Sequence, residues 1–577
     1  MKYITHSWDK EYDGVLFFVQ RMEEMLFHYS DDIVRVPIHN TVTLVREYIQ
    51  VEGDSNISRY NLRIIAEELI NSLEHDVVLK EYYGNAKIER LIKSIKSNER
   101  NTICYIASTF PFSTYNAWCS TYLVKHLKQA NHKVEISKGL RLWLSSIMWV
   151  GYTPEYIYRY LKSSFEKEIS DPLEAVTDFI THFHFEEHEY RVYFIFQESA
   201  VQYKELFNSR LGINFDDDGF FDNITLYNNR FIGYTDIQAI DPYSARDIGI
   251  GALNIFADFY KVLSNRTKPI ISKNVMVRNT ITNEVLRIPI AATGYKAIES
   301  PPHEDLQKAI DSAILACQQK PAHTYRSLKK MIGLHNTAIQ QSDLEDGFVN
   351  LWSIMEVVSN SSENGSTIDG VIQSVLPILQ NDYYLKYFRL LNDDLKKALS
   401  KEQYRHIVAI EDDKPLLEKI MCFVFLPEYE QLRETVFEEL SEYPNIRDKI
   451  YQLYLLKDNR TKVYALSSNY AQRVSWHLYR LYRLRNKIVH AGETDRNIQL
   501  LGEHLHIYCD SILYELITKL ATEKSFLSIG DVLVDGQLLG TAKKDYFKEH
   551  TSISRQDISM IYTLFFNGID SCIQKDE

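Results

Sequence analysis

The chain has 577 residues, 45% hydrophobic and 25% charged, enough for two to four domains and more than one core. The net charge of −13, from 78 acidic and 65 basic residues, on its face excludes a general nucleic-acid binder, which carries a basic excess. Scarce Gly (21) and Pro (14) argue against long flexible or Pro-rich linkers. No apolar run reaches the roughly 18 residues of a membrane span, and Met1–Gly14 lacks the apolar stretch of a secretory signal. The six cysteines, Cys104, Cys119, Cys317, Cys422, Cys509 and Cys572, form no CxxC pair. Neither a disulfide framework nor a Cys-rich zinc site is expected, and a reducing cytoplasm is the simplest setting.

Along residues 1–300 the pattern is mixed α+β, with room for two subdomains. Helical periodicity runs through Leu62–Leu79 and again from Leu140 to Phe165. Tyr190, Val192, Phe194 and Phe196 alternate as on a strand, with Arg191 and Gln197 facing the other way. Val275–Val277, the polar pair Thr282-Asn283 and Val285–Ile290 read as a hairpin. Ser300-Pro301-Pro302 interrupts structure and marks a domain boundary.

From His303 the sequence is almost continuously helical, and the chain as a whole is expected to be mainly α. Leu344, Phe348, Leu351, Met355 and Val358 fall on one face of an amphipathic helix that stops in the polar run Ser359–Gly365. A helical insert spans about 368–456, and strong helices follow at Ser468–His490 and Asn497–Leu520. These compose a domain over 303–522. In the tail, 523–577, Asp535-Gly536 between apolar residues reads as a hairpin turn, with a short helix to follow.

One segment reverses the overall charge. Asn459–Gly492 contains no Asp or Glu and seven basic residues: Arg460, Lys462, Arg473, Arg480, Arg483, Arg485 and Lys487. Most lie on one helix, so their charges are ordered, and such a surface attracts phosphate. A solvated basic face paired with acidic neighbours is the plainer reading of any such helix. The position of Arg485 favours the first. Val474, Leu478, Leu481 and Ile488 form the apolar stripe, and Arg485 takes the place missing between the last two. A guanidinium there is unfavourable unless it is paired or lines a cleft. His490 follows five residues later, about 140° around the helix, and Gly492 is placed to stop it. Arg485 and His490 do not face each other within one helix but converge if two copies pack across a two-fold axis.

The string Leu484-Arg485-Asn486-Lys487-Ile488-Val489-His490-Ala491-Gly492 resembles the Arg-x4-6-His motif of HEPN-domain ribonucleases, in the RN-x-x-VH-x-G form of ApeA-like HEPN proteins. Asn350–Val358, with Trp352 and Glu356, resembles the LW-x-x-x-E helix that precedes the Arg-His helix in that group. The resemblance covers about Asp305–Leu520 and leaves the N-terminal region, 1–300, unassigned. It implies a HEPN helical bundle and metal-independent RNA cleavage by a homodimer or higher oligomer, with no cofactor, no metal and no membrane partner. An imidazole can take the ribose 2′-OH proton or give one to the leaving 5′-oxygen, and an arginine can hold the scissile phosphate. The implied roles are His490 as general acid/base, Arg485 as phosphate clamp, Asn486 as orienter and Glu356 as the partner that fixes Arg485. Lys487, Arg483 and Arg480 extend the RNA track. The family further implies anti-phage defence by abortive infection, tRNA as a candidate substrate, and control by the N-terminal region sensing a phage-derived trigger.

Other constellations carry less. His182, His184 and His188 share strand parity and resemble a metal set, but a strand end with exposed histidines fits better. Asp216-Asp217-Asp218-Gly219 reads as an acidic turn. Ser199 lacks the glycines of a nucleophile elbow, and no phosphate-binding GxxxxGK[ST] or GxGxxG is present. Two alternatives to the nuclease stand: an inert HEPN-fold scaffold for dimerisation or RNA binding, and an unrelated helical interaction protein.

Overall fold

The computed structural model describes residues 3–27, 30–53, 59–97, 101, 103–104, 112–129, 131–215, 231–264, 271–290, 310–311, 313–314, 318–341, 343–361, 367–495 and 497–566. The chain is largely α-helical, with a small antiparallel sheet ahead of a long C-terminal helical region. It forms two compact units, one of residues 1–111, 121–141 and 293–577, the other of 112–120 and 142–292. One break falls at 292/293, close to the boundary expected near 300–303, but the residues before it do not form a single unit. Residues 1–111 belong with the C-terminal helices, and Ser300–Pro302 lie outside the described residues.

The elements used below are, in chain order, α1 (Asp13–Leu26), α2 (Thr41–Glu52), α3 (Arg59–His75), α4 (Lys133–Val150), α5 (Pro154–Phe165), α6 (Pro172–Thr181), β1 (His188–Phe196), β2 (Phe231–Ala239), α7 (Pro242–Ser264), β3 (Ile271–Asn279), β4 (Val285–Pro289), α8 (Ala322–Gln340), α9 (Leu344–Asn360), α10 (Ile368–Ala398), α11 (Thr461–Ala491), α12 (Ile498–Thr522), α13 (Ile529–Tyr546) and α14 (Arg555–Phe566). Further α-helical and 3-10 segments fill most of 401–454, so the expected insert is helical through most of its length.

In the smaller unit the sheet order is β2-β1-β3-β4, all antiparallel. The alternation in β1 does what the sequence suggests. Tyr190, Val192, Phe194 and Phe196 enter a core with Val275, Val277 and Ile288, while Arg191 pairs across the other face with Asp236 at 2.6 Å. Asn283, at φ 58, turns the β3–β4 hairpin. Gly233 in β2 is obligatory, because a Cβ there would lie 2.6 Å from the Phe215 ring. The periodicity from Leu140 to Phe165 resolves into two helices. Gly151 at φ 126 breaks it, and Thr153, with Pro154 behind it, caps the second.

In the larger unit the apolar stripe of α9 joins Val474, Leu478 and Leu481 of α11 and Leu505, Ile512 and Leu516 of α12 in one core. Ile33, Val34 and Ile64, from the N-terminal segment, enter the same core. The expected hairpin at Val532–Leu539 is instead part of α13. Ser528 and Asp531 form a capping box. Ile529, Val532, Leu533 and Gly536 recur at helical spacing and are buried. That periodic face outweighs the turn preference of Asp-Gly.

Candidate active site

α9 and α11 position the residues of the Arg-His motif. Burial of Phe348, Leu351, Met355 and Val358 leaves Glu356 at the edge of the stripe, half exposed. The buried Trp352, one turn earlier, donates its indole Nε1–H to Glu356 Oε1 at 3.0 Å. Arg485 Nη2 lies 3.3 Å from that same oxygen, and Arg485 Nη1 donates to Asn486 Oδ1 at 3.2 Å. Arg485 Nε is screened from solvent and has no hydrogen-bond partner among the described residues. The guanidinium is thus aimed by one carboxylate oxygen and one amide oxygen, with its side chain 23% exposed and donor capacity left over.

His490 is exposed on the last turn of α11. Gly492 ends the helix at φ 64, its N–H bonded to the Ile488 carbonyl at 3.2 Å, and the Glu493 N–H reaches the Lys487 carbonyl at 3.3 Å. The Gly492 bond to the Ile488 carbonyl is the αL cap, which only a residue at ease with positive φ closes without strain. Lys487 is half buried beside the motif.

Arg480 and Arg483 do not extend this surface. Both are buried. Arg480 forks onto Glu47 of α2 at 3.1 and 2.9 Å and reaches Glu68 of α3 at 2.6 Å, and Arg483 joins Glu47 at 2.6 Å. Burial works against the Glu47 carboxylate, but Arg480, His39 and Arg483 outweigh it and hold its pKa well below the usual range. Glu68 goes the other way: burial and the neighbouring Glu47 raise it despite Arg480. Arg480 and Arg483 are therefore internal cations paired with carboxylates rather than surface cations. Arg460 is likewise tied to Asp557 at 3.0 Å and Glu549 at 2.8 Å. Of the seven cations in the acid-free segment, Lys462 and Arg473 are exposed and Lys487 is half buried.

The histidines ahead of β1 do not form a ligand set. His182 caps α6 rather than lying on a strand, stacks on Tyr160 at 3.8 Å and pairs through Nε2 with the Tyr156 hydroxyl at 2.9 Å. His184 precedes β1, and its carbonyl accepts from Tyr152. Asp216–Gly219 lie outside the described residues. A different set does converge: His335 of α8 with His506 and Asp510 of α12. Sequence reading missed it because His335 and His506 are 171 residues apart in the chain. A cavity of about 350 Å³ lined by Tyr383, Tyr384, Tyr387 and Lys462 includes neither Arg485 nor His490. No described helix is long and apolar enough to cross a membrane. Comparison with family models, curated proteins and solved structures gives no match for the chain.

Proposed function

We propose that this chain is a HEPN-type endoribonuclease that cleaves RNA without a metal ion. The observation that supports it is Arg485, held by Glu356 and Asn486 at a half-exposed position, on the helix that ends with the exposed His490. Trp352 fixes Glu356, so the LW-x-x-x-E helix and the Arg-His helix act on one guanidinium. In the proposed reaction the ribose 2′-oxygen attacks the adjacent phosphorus, the bond from phosphorus to the 5′-oxygen breaks, and a 2′,3′-cyclic phosphate and a 5′-hydroxyl result. His490 moves protons at the 2′- and 5′-oxygens. Arg485 holds the phosphate and neutralises its growing charge. The two residues point well apart around α11, which makes a second copy of the chain the natural source of the complementary pair. RNA lacking a 2′-OH is not a substrate under this chemistry. An anti-phage effector acting in the cytoplasm, with tRNA among the RNAs cut and a phage-derived trigger, is the biological setting the motif suggests.

The internal neutralisation of Arg480 and Arg483 favours the second reading, an inert HEPN-fold scaffold, because it shortens the RNA track. One experiment separates the two. Purified protein is incubated with total RNA in EDTA beside His490→Ala and Arg485→Ala. The nuclease reading expects cleavage in wild type alone, with cyclic-phosphate ends. Cleavage that persists in His490→Ala removes His490 from the chemistry, and RNA binding without cleavage under all inducing conditions favours the scaffold.

A further inference from the structure

His335, His506 and Asp510 bring two imidazoles and a carboxylate to one point. His335 Nε2 lies 2.7 Å from Asp510 Oδ1 and 3.0 Å from His506 Nε2, and His506 Nε2 lies 3.4 Å from the same carboxylate oxygen. His506 and Asp510 are one turn apart on α12, the i, i+4 spacing that puts two ligands on one helix face. His335 comes from α8, which packs beside it. The side chains of His506, His335 and Asp510 are 1, 19 and 32% exposed, so the point is walled on one side and open to water on the other.

A hydrogen-bonded cluster is the simplest alternative, in which a ring proton on His335 or His506 serves each contact separately. A divalent ion satisfies all three lone pairs together. Zn–N and Zn–O bonds of about 2.0–2.2 Å set neighbouring donors about 3–3.5 Å apart in tetrahedral geometry, close to the two longer separations found here, and a small movement of the Asp510 carboxylate away from His335 accommodates the shortest. Two imidazoles favour zinc and its transition-metal neighbours over Mg²⁺ or Ca²⁺, which take oxygen ligands.

We propose that His335, His506 and Asp510 bind one zinc-class divalent ion per chain, with water completing the coordination, and that the ion clamps α8 to α12. Neither the site nor its test depends on the ribonuclease reading. The residue just before Asp510 on α12, Cys509, donates to the Leu351 carbonyl of α9 at 3.4 Å, so the clamp steadies the bundle that also carries Glu356.

The test uses untagged full-length protein, stripped with EDTA and dialysed. Calorimetric titration with ZnCl₂ and visible spectroscopy with CoCl₂ are run on wild type, His335→Gln and Asp510→Asn, with far-UV circular dichroism to confirm folding. The substitutions sit at the more exposed ligands, so the fold survives them. One equivalent of Zn²⁺ per wild-type chain is expected, with d–d bands from Co²⁺. Affinity should fall more than about 100-fold in each variant, beyond the 10–100-fold typical of outer-shell changes. Zn²⁺ should raise the unfolding temperature of wild type and not of the variants. Absence of stoichiometric binding, or equal binding in wild type and folded variants, overturns the proposal.

Discussion

The middle and the end of α11 carry the same residue type and put it to opposite uses. Arg480 and Arg483 are buried, each on Glu47, one also on Glu68. Arg485, two residues on, is half exposed and held by one oxygen each of Glu356 and Asn486. What differs is the partner helix. α2 and α3 bring carboxylates onto the middle of α11, whereas its end runs past them to the edge of α9. The N-terminal segment that carries α2 and α3 is thus part of the scaffold of the Arg-His helix, and a charge count along the helix does not describe the charge it offers a ligand.

The sharpest way to break this comparison is to remove one cation from each part. Under the proposed chemistry Arg485→Ala and His490→Ala each lower cleavage by about 10²–10⁴-fold and leave the unfolding midpoint near wild type. Arg480→Ala should do the reverse to stability. It takes the hydrogen-bonded arginine from buried Glu68 and leaves Glu47 with Arg483 and His39, a loss of about 3–5 kcal/mol, visible as a large drop in urea midpoint. Glu47→Gln should also lower the midpoint, because it takes the carboxylate from Arg483 and leaves Arg480 on Glu68 alone. If Arg480→Ala keeps wild-type stability, the buried network is not what fixes α2 and α3 to α11.

Much of the site is legible before the fold. The apolar stripe of α9, the helix stop at Gly492 and the displaced arginine in the α11 stripe are local periodicities, and the contact between Arg485 and Glu356 joins two such local signals. The fate of Arg480 is not legible, because Glu47 lies 433 residues away and nothing near either residue marks the pairing. His335 and His506 are hidden for the same reason. The tail is a different case. Ser528, Asp531 and the Ile529–Gly536 periodicity spell a capped helix, and the more familiar Asp-Gly turn signal masks it.

Lys543 extends the comparison to a buried cation held by neutral groups. It is fully buried, donates to Asn381 Oδ1 and lies over the Phe565 ring at 4.2 Å. Burial pushes its pKa down to about 7, against the pull of Glu515, where buried Arg480 among carboxylates is raised. In the unfolded chain the lysine keeps its ordinary value near 10.5. Between pH 7 and 10.5 the unfolded state therefore binds more protons, and this residue makes stability rise with pH; below pH 7 its penalty is constant. Lys543→Met should raise stability at pH 6–7 by about 1–3 kcal/mol, and the advantage should shrink toward pH 10. A variant advantage that stays level across pH 6–10 would mean that Lys543 keeps its proton in the fold.

The smallest effect tests the surface that remains. With Arg480 and Arg483 internal, the motif offers RNA phosphates Arg485 and Lys487 in each chain, so the salt dependence of RNA binding should be shallow. Each phosphate contact contributes about 0.7 to the slope of log K against log salt for single strands. Lys487→Ala should reduce that slope by about this amount for each lysine engaged, weakening binding to different RNA sequences alike. Arg483→Met, provided the variant folds, should leave the slope unchanged, since a cation neutralised by Glu47 releases no counterions. Filter-binding isotherms between about 50 and 200 mM salt, with the inactive His490→Ala chain, measure both. An equal loss of slope in Arg483→Met and Lys487→Ala would mean that RNA draws Arg483 away from Glu47, and the middle of α11 would then belong to the interface after all.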